Sequence, residues 1–211
     1  MEVRHELART DRLINVLDYG SGNQGPSKRS VSSIYRSSSI PHSWGLVLFR
    51  CVRLLRPRKI LELGASLGVS GAYLQSALDL NDDGGRLTSI EGDPTLAALA
   101  ASTLVAVAGN GGEVVTGRFD DVLLPTLERM KSVDFAFIDG HHEHDPLLKY
   151  FGSINGFLAR RGAVVLDDVY LWARGVRTAW NEMVRRCQEG IAFDFGRLGI
   201  LFPHILEKGA P

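Results

Sequence analysis

The 211-residue chain lacks several features that would define its class at once. It has only two cysteines, Cys51 and Cys187, and both lie in patterns that predict helices. We therefore favour two buried free thiols over a disulfide, and a reducing compartment with them. No internal repeat of fixed period is present, which excludes solenoids and propellers.

The chain also lacks an excess of charge of either sign. Lys and Arg total 24, as do Asp and Glu, so no overall field attracts nucleic acid or an anionic membrane. No apolar run approaches the roughly 18 residues of a membrane span, and the N-terminus is charged where a signal peptide is apolar. These absences favour a cytoplasmic protein with a small-molecule partner, and they leave monomer and homodimer open.

What is present is the composition of an ordinary globular protein, with 45% hydrophobic and 23% charged residues. Residues 1–40 differ from the rest. Leu7, Leu13, Ile14 and Leu17 predict a short helix, and the Gly/Ser-rich segment Asp18–Ser39 is either a floppy leader or a lid over a ligand. Residues 41–211 form the main predicted domain.

From Pro41 onward, helical patterns alternate with short apolar strands. The predicted helices are one between Pro41 and Pro57, Ser70–Leu80, one capped by Asp93 with Pro94 in its first turn, Asp121–Met130, one started by Pro146, and Arg174–Cys187. The predicted strands are Lys59–Leu63, Arg86–Glu91, Val114–Thr116, Val133–Ile138, Ala163–Leu166, Ile191–Phe195 and Leu198–Phe202. This order predicts an α/β fold: a mainly parallel sheet with helices on both faces and a C-terminal antiparallel hairpin. Ligands of such sheets bind beyond the carboxyl ends of the strands.

A glycine-containing turn follows the first strand of the main domain. The motif reads Glu62-x-Gly64-x-x-x-Gly68-x-Ser70, with Ala65 and Ser66 after the first glycine. Glycines allow a sharp turn and the close approach of a ligand, although a turn that only packs helix on strand is the alternative. The spacing departs from the Gly-x-Gly-x-x-Gly pattern of nicotinamide-binding proteins.

Acidic residues flank this turn. Glu91 ends the second strand and is suited to accept hydrogen bonds from a ribose diol. Glu62 lies inside an otherwise apolar strand, where a carboxylate needs a partner such as a ligand amine or a backbone donor. Together with the glycine turn, the two acids favour a nucleoside-type ligand.

Three more carboxylates follow the fourth and fifth strands: Asp139, Asp167 and Asp168. They would repel one another without a counter-charge, and such oxygen-rich clusters suit Mg²⁺, Mn²⁺ or Ca²⁺. The alternative is that Asp145 or Asp168 caps a helix and Asp167 holds a loop. The nearby His141, His142 and His144 form a solvated loop, supply a general base, or, least favoured without a cysteine, bind zinc.

Together these residues resemble the class I S-adenosylmethionine-dependent methyltransferases, within them the O-methyltransferase branch that includes catechol and caffeoyl-coenzyme A methyltransferases. The resemblance covers about Pro41 to Phe202 and implies a Rossmann-like, seven-stranded methyltransferase fold. It is nearest to a bacterial group whose fourth strand ends Asp-Gly-x-His-x-Tyr. Here that motif begins at Asp139, and His144 replaces the tyrosine.

The resemblance implies a role for each residue. Glu62, Gly64, Gly68 and Ser70 contribute to the cofactor's methionine end, Glu91 to its ribose, and Phe119 and Asp120 to its adenine. Ala65, Ser66 and Asp139 are further cofactor-binding candidates, and Asp139 is also a catalytic candidate. Asp139, Asp167 and Asp168 take the positions of a divalent-metal set in which the last residue is usually Asn. His142 takes the position of the lysine that removes the substrate's proton in catechol-type enzymes.

We therefore expect an S-adenosylmethionine-dependent enzyme, with Mg²⁺ or another divalent cation assisting methyl transfer to a small-molecule hydroxyl. The alternatives are a catalytically silent cofactor-binding module and, less favoured, a nicotinamide-dependent oxidoreductase. The acceptor is not readable from the sequence. Tyr170, Trp172 and Trp44 either line an aromatic acceptor pocket or, more often for such residues, belong to the core.

Overall fold

The structure is a computed structural model that describes residues 2–17, 26–108, 112–171 and 175–204. The elements in chain order are α1 (Glu2–Arg9), β1 (Leu13–Leu17), β2 (Pro26–Ser30), α2 (Val31–Ser38), α3 (His42–Leu55), β3 (Lys59–Leu63), α4 (Val69–Asn81), β4 (Arg86–Glu91), α5 (Pro94–Ala108), β5 (Glu113–Thr116), α6 (Phe119–Met130), β6 (Val133–Ile138), α7 (His144–Asn155), β7 (Leu158–Leu166), α8 (Val176–Arg186), β8 (Ile191–Asp194) and β9 (Gly199–Phe202).

A seven-stranded sheet in the order β5-β4-β3-β6-β7-β9-β8 organises the chain. The first five of these strands are parallel, and β9 pairs antiparallel with both β7 and β8. Successive side chains of a strand point to opposite faces, so Ile60 belongs to one buried cluster and Leu61 and Leu63 to the other. The predicted mainly parallel sheet with a C-terminal antiparallel hairpin is confirmed.

The N-terminal segment differs from its prediction. The helix ends at Arg9, and Leu13–Leu17 is instead a strand that pairs antiparallel with β2. Within this strand Ile14 and Val16 are buried while their neighbours are exposed, which is the two-residue period of a strand. Of the predicted lid segment, residues 18–25 lie outside the described residues, and the remainder forms β2 and α2.

The N-terminal elements share the core of the main domain. Leu7, Ile14, Val16 and Ile34 belong to the same buried cluster as side chains of α3, α4 and the sheet. The buried core is therefore continuous across residue 40, and the predicted division of the chain at that residue stays a prediction.

Other boundaries differ by a few residues. β7 begins at Leu158, five residues before its prediction, and α8 spans Val176–Arg186 where Arg174–Cys187 was predicted. Both cysteines are free and partly buried, and burial raises the pKa of each thiol. None of the helices in the described ranges is long and apolar enough to cross a membrane.

Asp93 joins the N-terminal hairpin to α5. Its Oδ1 accepts a hydrogen bond from the Leu96 N–H at 2.8 Å, which confirms the predicted helix cap, and its Oδ2 accepts one from the Leu17 N–H at 2.7 Å. One buried carboxylate thus fixes both the start of α5 and the end of β1.

We expect Asp93→Ala to lower the free energy of unfolding by about 1–2 kcal/mol, because it removes the cap and the Leu17 contact together. Urea denaturation measures the loss. Asp93→Asn is the matched control, since its amide oxygen still caps α5 and its loss should be smaller. No loss in Asp93→Ala would contradict this role.

Candidate active site

The site begins where the strand order reverses, between β3 and β6. Gly64 follows β3 with a φ of +95°, and its N–H donates to the Ile90 carbonyl oxygen at 3.0 Å. A Cβ added at Gly64 would lie only 2.0 Å from the Asp139 carbonyl oxygen at the end of β6. The turn therefore requires glycine, and it holds the ends of two neighbouring strands in contact.

Gly68 allows the start of α4 to pack closely against α5. Its φ is +78°, and an added Cβ would lie 2.9 Å from the Cα of Ala100 on α5. The two glycines thus have different structural roles: Gly64 lets the turn approach β6, and Gly68 lets α4 approach α5.

A cavity of about 550 Å³ opens over these strand ends. The predicted site residues on its wall are Gly64, Ser66, Glu91, Phe119, Asp120, Asp139, His142 and Asp168. Five predicted residues are absent from the wall: Glu62, Ala65, Gly68, Ser70 and Asp167. Wall residues that the strand-end argument missed include Leu17, Arg29, Arg36, Leu96, Arg118, Tyr150 and Arg197.

Glu91 holds the glycine turn in place. Its Oε2 accepts a hydrogen bond from the Ser66 N–H at 2.7 Å, and its Oε1 accepts one from the Asp93 N–H at 3.0 Å. Burial raises the pKa of the Glu91 carboxyl, and these backbone N–H groups partly offset the effect. A carboxylate has about four lone-pair sites, so both oxygens retain capacity for a ligand.

Glu62 lies behind the turn and is fully buried. The Ser89 hydroxyl donates to its Oε2 at 2.5 Å, while its Oε1 has no hydrogen-bond partner. Burial raises the pKa of Glu62 to about 7, which outweighs the opposing effect of the Ser70 and Ser89 hydroxyls. Glu62 thus connects β3 to β4 through Ser89, and its contact with a ligand stays a prediction.

Phe119 and Asp120 line the cavity together with Tyr150 of α7, and the Phe119 ring lies close to Gly140. The Phe119 ring meets the Tyr150 ring edge to face, with centroids 5.4 Å apart. The Tyr150 hydroxyl lies 2.9 Å from Nδ1 of His141, and burial raises the pKa of Tyr150 to about 12. Asp120 pairs with Lys149 at 2.7 Å, and this hydrogen bond lowers the pKa of Asp120.

His142 lies between two carboxylates at the edge of the cavity. Its Nε2 is 3.4 Å from Asp139 Oδ1, and its Nδ1 is 3.4 Å from Asp168 Oδ2. The other two histidines of the segment point elsewhere: His141 contacts Tyr150, and His144 contacts Asp145 and Glu182. The three histidines therefore do not converge on one point, as a zinc site would require.

Arg197, in the turn between β8 and β9, supplies a counter-charge to the carboxylates. Its Nε donates to Asp167 Oδ1 at 2.8 Å, its Nη2 donates to Asp167 Oδ2 at 2.7 Å, and Nη2 also lies 3.2 Å from Asp168 Oδ1. Burial and the neighbouring carboxylates raise the pKa of Asp139 well above its usual range, and Arg197 opposes this shift. Burial likewise raises the pKa of Asp167.

The predicted metal set does not fit a divalent ion in this arrangement. Within the described ranges, no group of three or more His, Cys, Asp or Glu side chains is placed to hold a metal. Both oxygens of Asp167 accept hydrogen bonds from Arg197, and the positive charge of this partner opposes the approach of a divalent cation. Asp139 and Asp168 remain on the cavity wall beside His142.

The aromatic residues proposed for an acceptor pocket do not gather at the cavity. Trp44 packs against the core, in agreement with the alternative interpretation. Tyr170 is 50% exposed, is not part of the wall, and has its pKa raised chiefly by the charge of Asp168. Trp172 lies outside the described residues.

Comparisons with known proteins agree with this geometry. Residues 61–169, about half of the chain, match the family model described as "Methyltransferase domain". A putative O-methyltransferase of Mycobacterium sp. (strain JLS) is 27% identical over 165 residues, which cover 75% of this chain and 72% of the relative. An uncharacterized protein of Acanthamoeba polyphaga mimivirus is 31% identical over 75 residues, only 34% of each chain.

Among solved structures, the O-methyltransferase TomG of Streptomyces achromogenes, in complex with S-adenosylmethionine, superposes with a TM-score of 0.63. It is 27% identical, and the match covers 78% of this chain and 80% of TomG. Together with the sheet order and the strand-end cavity, these matches identify a class I methyltransferase, the class that uses S-adenosylmethionine as methyl donor. The chain belongs to the methyltransferase domain family.

Substitutions of two glycines test the contact at the reversal of strand order. We expect Gly64→Ala to lower the free energy of unfolding by about 3 kcal/mol or more, because the left-handed backbone and the clash with Asp139 both oppose it. The matched control is Gly84→Ala, whose φ is +72° and whose added Cβ meets nothing within 4 Å. Equal losses in chemical denaturation would contradict the close approach.

The buried carboxyl of Glu62 makes stability depend on pH. Because its folded-state pKa is raised, its stabilising contribution is complete below pH 4.5 and is lost as the pH rises through about 7. Glu62→Gln does not titrate, so without ligand its stability relative to wild type should increase by about 2–3 kcal/mol from pH 4.5 to 7.5. A difference that is flat with pH, measured by urea denaturation, would contradict the burial argument.

Proposed function

We propose that this protein transfers a methyl group from S-adenosylmethionine to an oxygen atom of a small molecule. The observation that carries the proposal is the Gly64 turn, which Glu91 fixes at the ends of β3 and β4 beside a 550 Å³ cavity. The names of the mycobacterial relative and of TomG, both O-methyltransferases, support transfer to oxygen.

The cofactor would lie along the wall from α6 to β6. Glu91 accepts hydrogen bonds from the ribose hydroxyls with the lone pairs that Ser66 and Asp93 leave free. The methionine end lies over Gly64, Ser66 and Asp139. Glu62, Ala65, Gly68 and Ser70 do not line the cavity, so this arrangement assigns them no direct contact with the cofactor.

The adenine end would lie beside Phe119. The aromatic ring offers a flat apolar face next to the polar side chain of Asp120, and the ring itself is held by Tyr150. This pairing of one aromatic and one acidic residue suits a purine with an exocyclic amine.

The transfer is an in-line displacement. An acceptor oxygen attacks the methyl carbon, the carbon–sulfur bond breaks, and its electron pair returns to sulfur, which leaves neutral S-adenosylhomocysteine. The proton of the acceptor passes to His142, whose ring Asp139 and Asp168 orient at the cavity wall. Alignment of donor and acceptor can contribute about 7–11 kcal/mol, and a positioned base about 10²–10⁴-fold in rate.

The metal assistance implied by the resemblance is not part of this proposal, because Asp167 is committed to Arg197. Every step assigned above uses side chains on the cavity wall and the cofactor itself. The acceptor oxygen would lie within reach of His142, on the side of the cavity formed by α2 and the loop after β7.

Two measurements test the function. Titration calorimetry should detect binding of S-adenosylhomocysteine and no binding of NAD. Incubation with methyl-labelled S-adenosylmethionine and a metabolite extract, followed by mass spectrometry, should reveal a methylated small molecule. Absence of S-adenosylhomocysteine binding would refute the proposal, and binding without transfer to any acceptor would favour a silent cofactor-binding module.

Once a methyl acceptor is identified, the variant His142→Gln tests whether His142 is the general base. We expect it to lower kcat by about 10²–10⁴-fold, while the Kd of S-adenosylhomocysteine changes by less than about twofold. His144→Gln is the matched control, because His144 contacts Asp145 and Glu182 away from the cavity. Full activity of His142→Gln would remove the imidazole from the mechanism.

A further inference from the structure

We infer that Arg197 takes the place that the metal-dependent relatives of this fold give to a divalent cation, as a built-in positive charge that holds the Asp139–Asp167–Asp168 cluster together. It is a positioning residue: it acts through the carboxylates that orient His142. The inference deepens the proposed function and rests on it for its catalytic meaning, but its test requires no methyl acceptor.

The first argument is the geometry of the Arg197–Asp167 pair. The planar guanidinium presents two N–H groups to both carboxylate oxygens, at 2.8 and 2.7 Å, which is the two-point contact that arginine forms best. The Asp167 side chain is 0% exposed. A buried carboxylate held in this way already has a cationic partner, whose charge opposes the approach of a metal ion.

The second argument is that the same guanidinium serves two of the three carboxylates. Its Nη2 lies 3.2 Å from Asp168 Oδ1, a buried oxygen that has no hydrogen-bond partner. This ion pair therefore acts through charge rather than through an aligned hydrogen bond. One positive charge placed against both side chains offsets the repulsion between Asp167 and Asp168.

The third argument is the connection to the cavity. Asp168 also lies 3.4 Å from Nδ1 of His142, whose Nε2 is 3.4 Å from Asp139. Contacts thus run from Arg197 through Asp168 and His142 to Asp139, and all four residues border the cavity. Loss of the guanidinium would release Asp168 and with it the orientation of the imidazole.

The position of Arg197 in the fold explains why the carboxylate cluster can form without a bound ion. It comes from the β8–β9 turn, and β9 pairs with β7, the strand that leads directly to Asp167 and Asp168. The Val169 N–H also donates to the Arg197 carbonyl oxygen at 2.9 Å. Backbone pairing therefore delivers the guanidinium to the carboxylates as the sheet forms.

The test compares wild type with Arg197→Met by Mn²⁺ binding and by thermal melting, both with S-adenosylhomocysteine present. Electron paramagnetic resonance should detect no Mn²⁺ binding by wild type up to about 1 mM, a concentration at which even weak carboxylate sites bind divalent cations. Its Tm should not change with EDTA. Arg197→Met should lower the Tm by about 6–15 °C, because it leaves Asp167 buried without a partner.

Two further variants separate charge from packing. In Arg197→Met/Asp167→Asn the unpaired charge is gone, so at least half of the lost Tm should return. Arg197→Lys keeps the charge without the two-point contact and should fall between wild type and Arg197→Met. Arg197→Met should also gain Mn²⁺ binding that raises its Tm, whereas the double variant should not.

Tight Mn²⁺ binding by wild type together with a fall in Tm on adding EDTA would overturn the inference. So would an Arg197→Met variant with an unchanged Tm. If Arg197→Met does not fold, two measurements still test the inference. They are the response of wild type to Mn²⁺ and EDTA, and the Tm of Arg197→Lys. Failure of S-adenosylhomocysteine to bind would refute the proposed function instead. The Mn²⁺ and EDTA measurements can be repeated without S-adenosylhomocysteine and would then still test the role of Arg197.

Discussion

The site depends on one contact, the approach of Gly64 to the carbonyl oxygen of Asp139, where a side chain would leave a separation of only 2.0 Å. This contact joins β3 and β6, the two strands at which the sheet reverses its order. On one side of it, Glu91 receives the N–H of Ser66 and fixes the turn. On the other side, Asp139 begins the loop that carries His142.

Burial of acidic groups is the second constraint. Each carboxylate around the site has a distinct partner: a hydroxyl for Glu62, backbone N–H groups for Glu91 and Asp93, an imidazole for Asp139, and a guanidinium for Asp167. Because desolvation penalises the charged form, an acid without such a partner would be costly. The partners come from different elements, so the fold must be complete before the site is.

The features predictable from the sequence were those with a local signal. Short strand patterns placed β3, β4 and β6 at their observed bounds, and Asp93 followed by Pro94 identified the start of α5. The strand ends then indicated Gly64, Glu91 and Asp139, all of which border the cavity.

The rest had no local pattern. Arg197 lies 30 positions from Asp167 and meets it only because β9 pairs with β7, and Tyr150 reaches the cavity from the middle of α7. Leu13–Leu17 resembled a continuation of α1 because five residues are too few to distinguish the two periods securely. The metal set was inferred from carboxylates that do cluster, but their counter-charge comes from a distant part of the chain.

The account makes one central claim: a nucleoside sulfonium cofactor binds over the Gly64 turn, beside carboxylates that an arginine holds together. A crystal structure of the protein with S-adenosylhomocysteine, grown with Mg²⁺ present, tests it most directly. We predict ribose hydroxyls within hydrogen-bond distance of Glu91, and the Arg197 guanidinium between Asp167 and Asp168. A ligand bound elsewhere, or a Mg²⁺ ion coordinated by Asp167 with Arg197 displaced, would contradict the account.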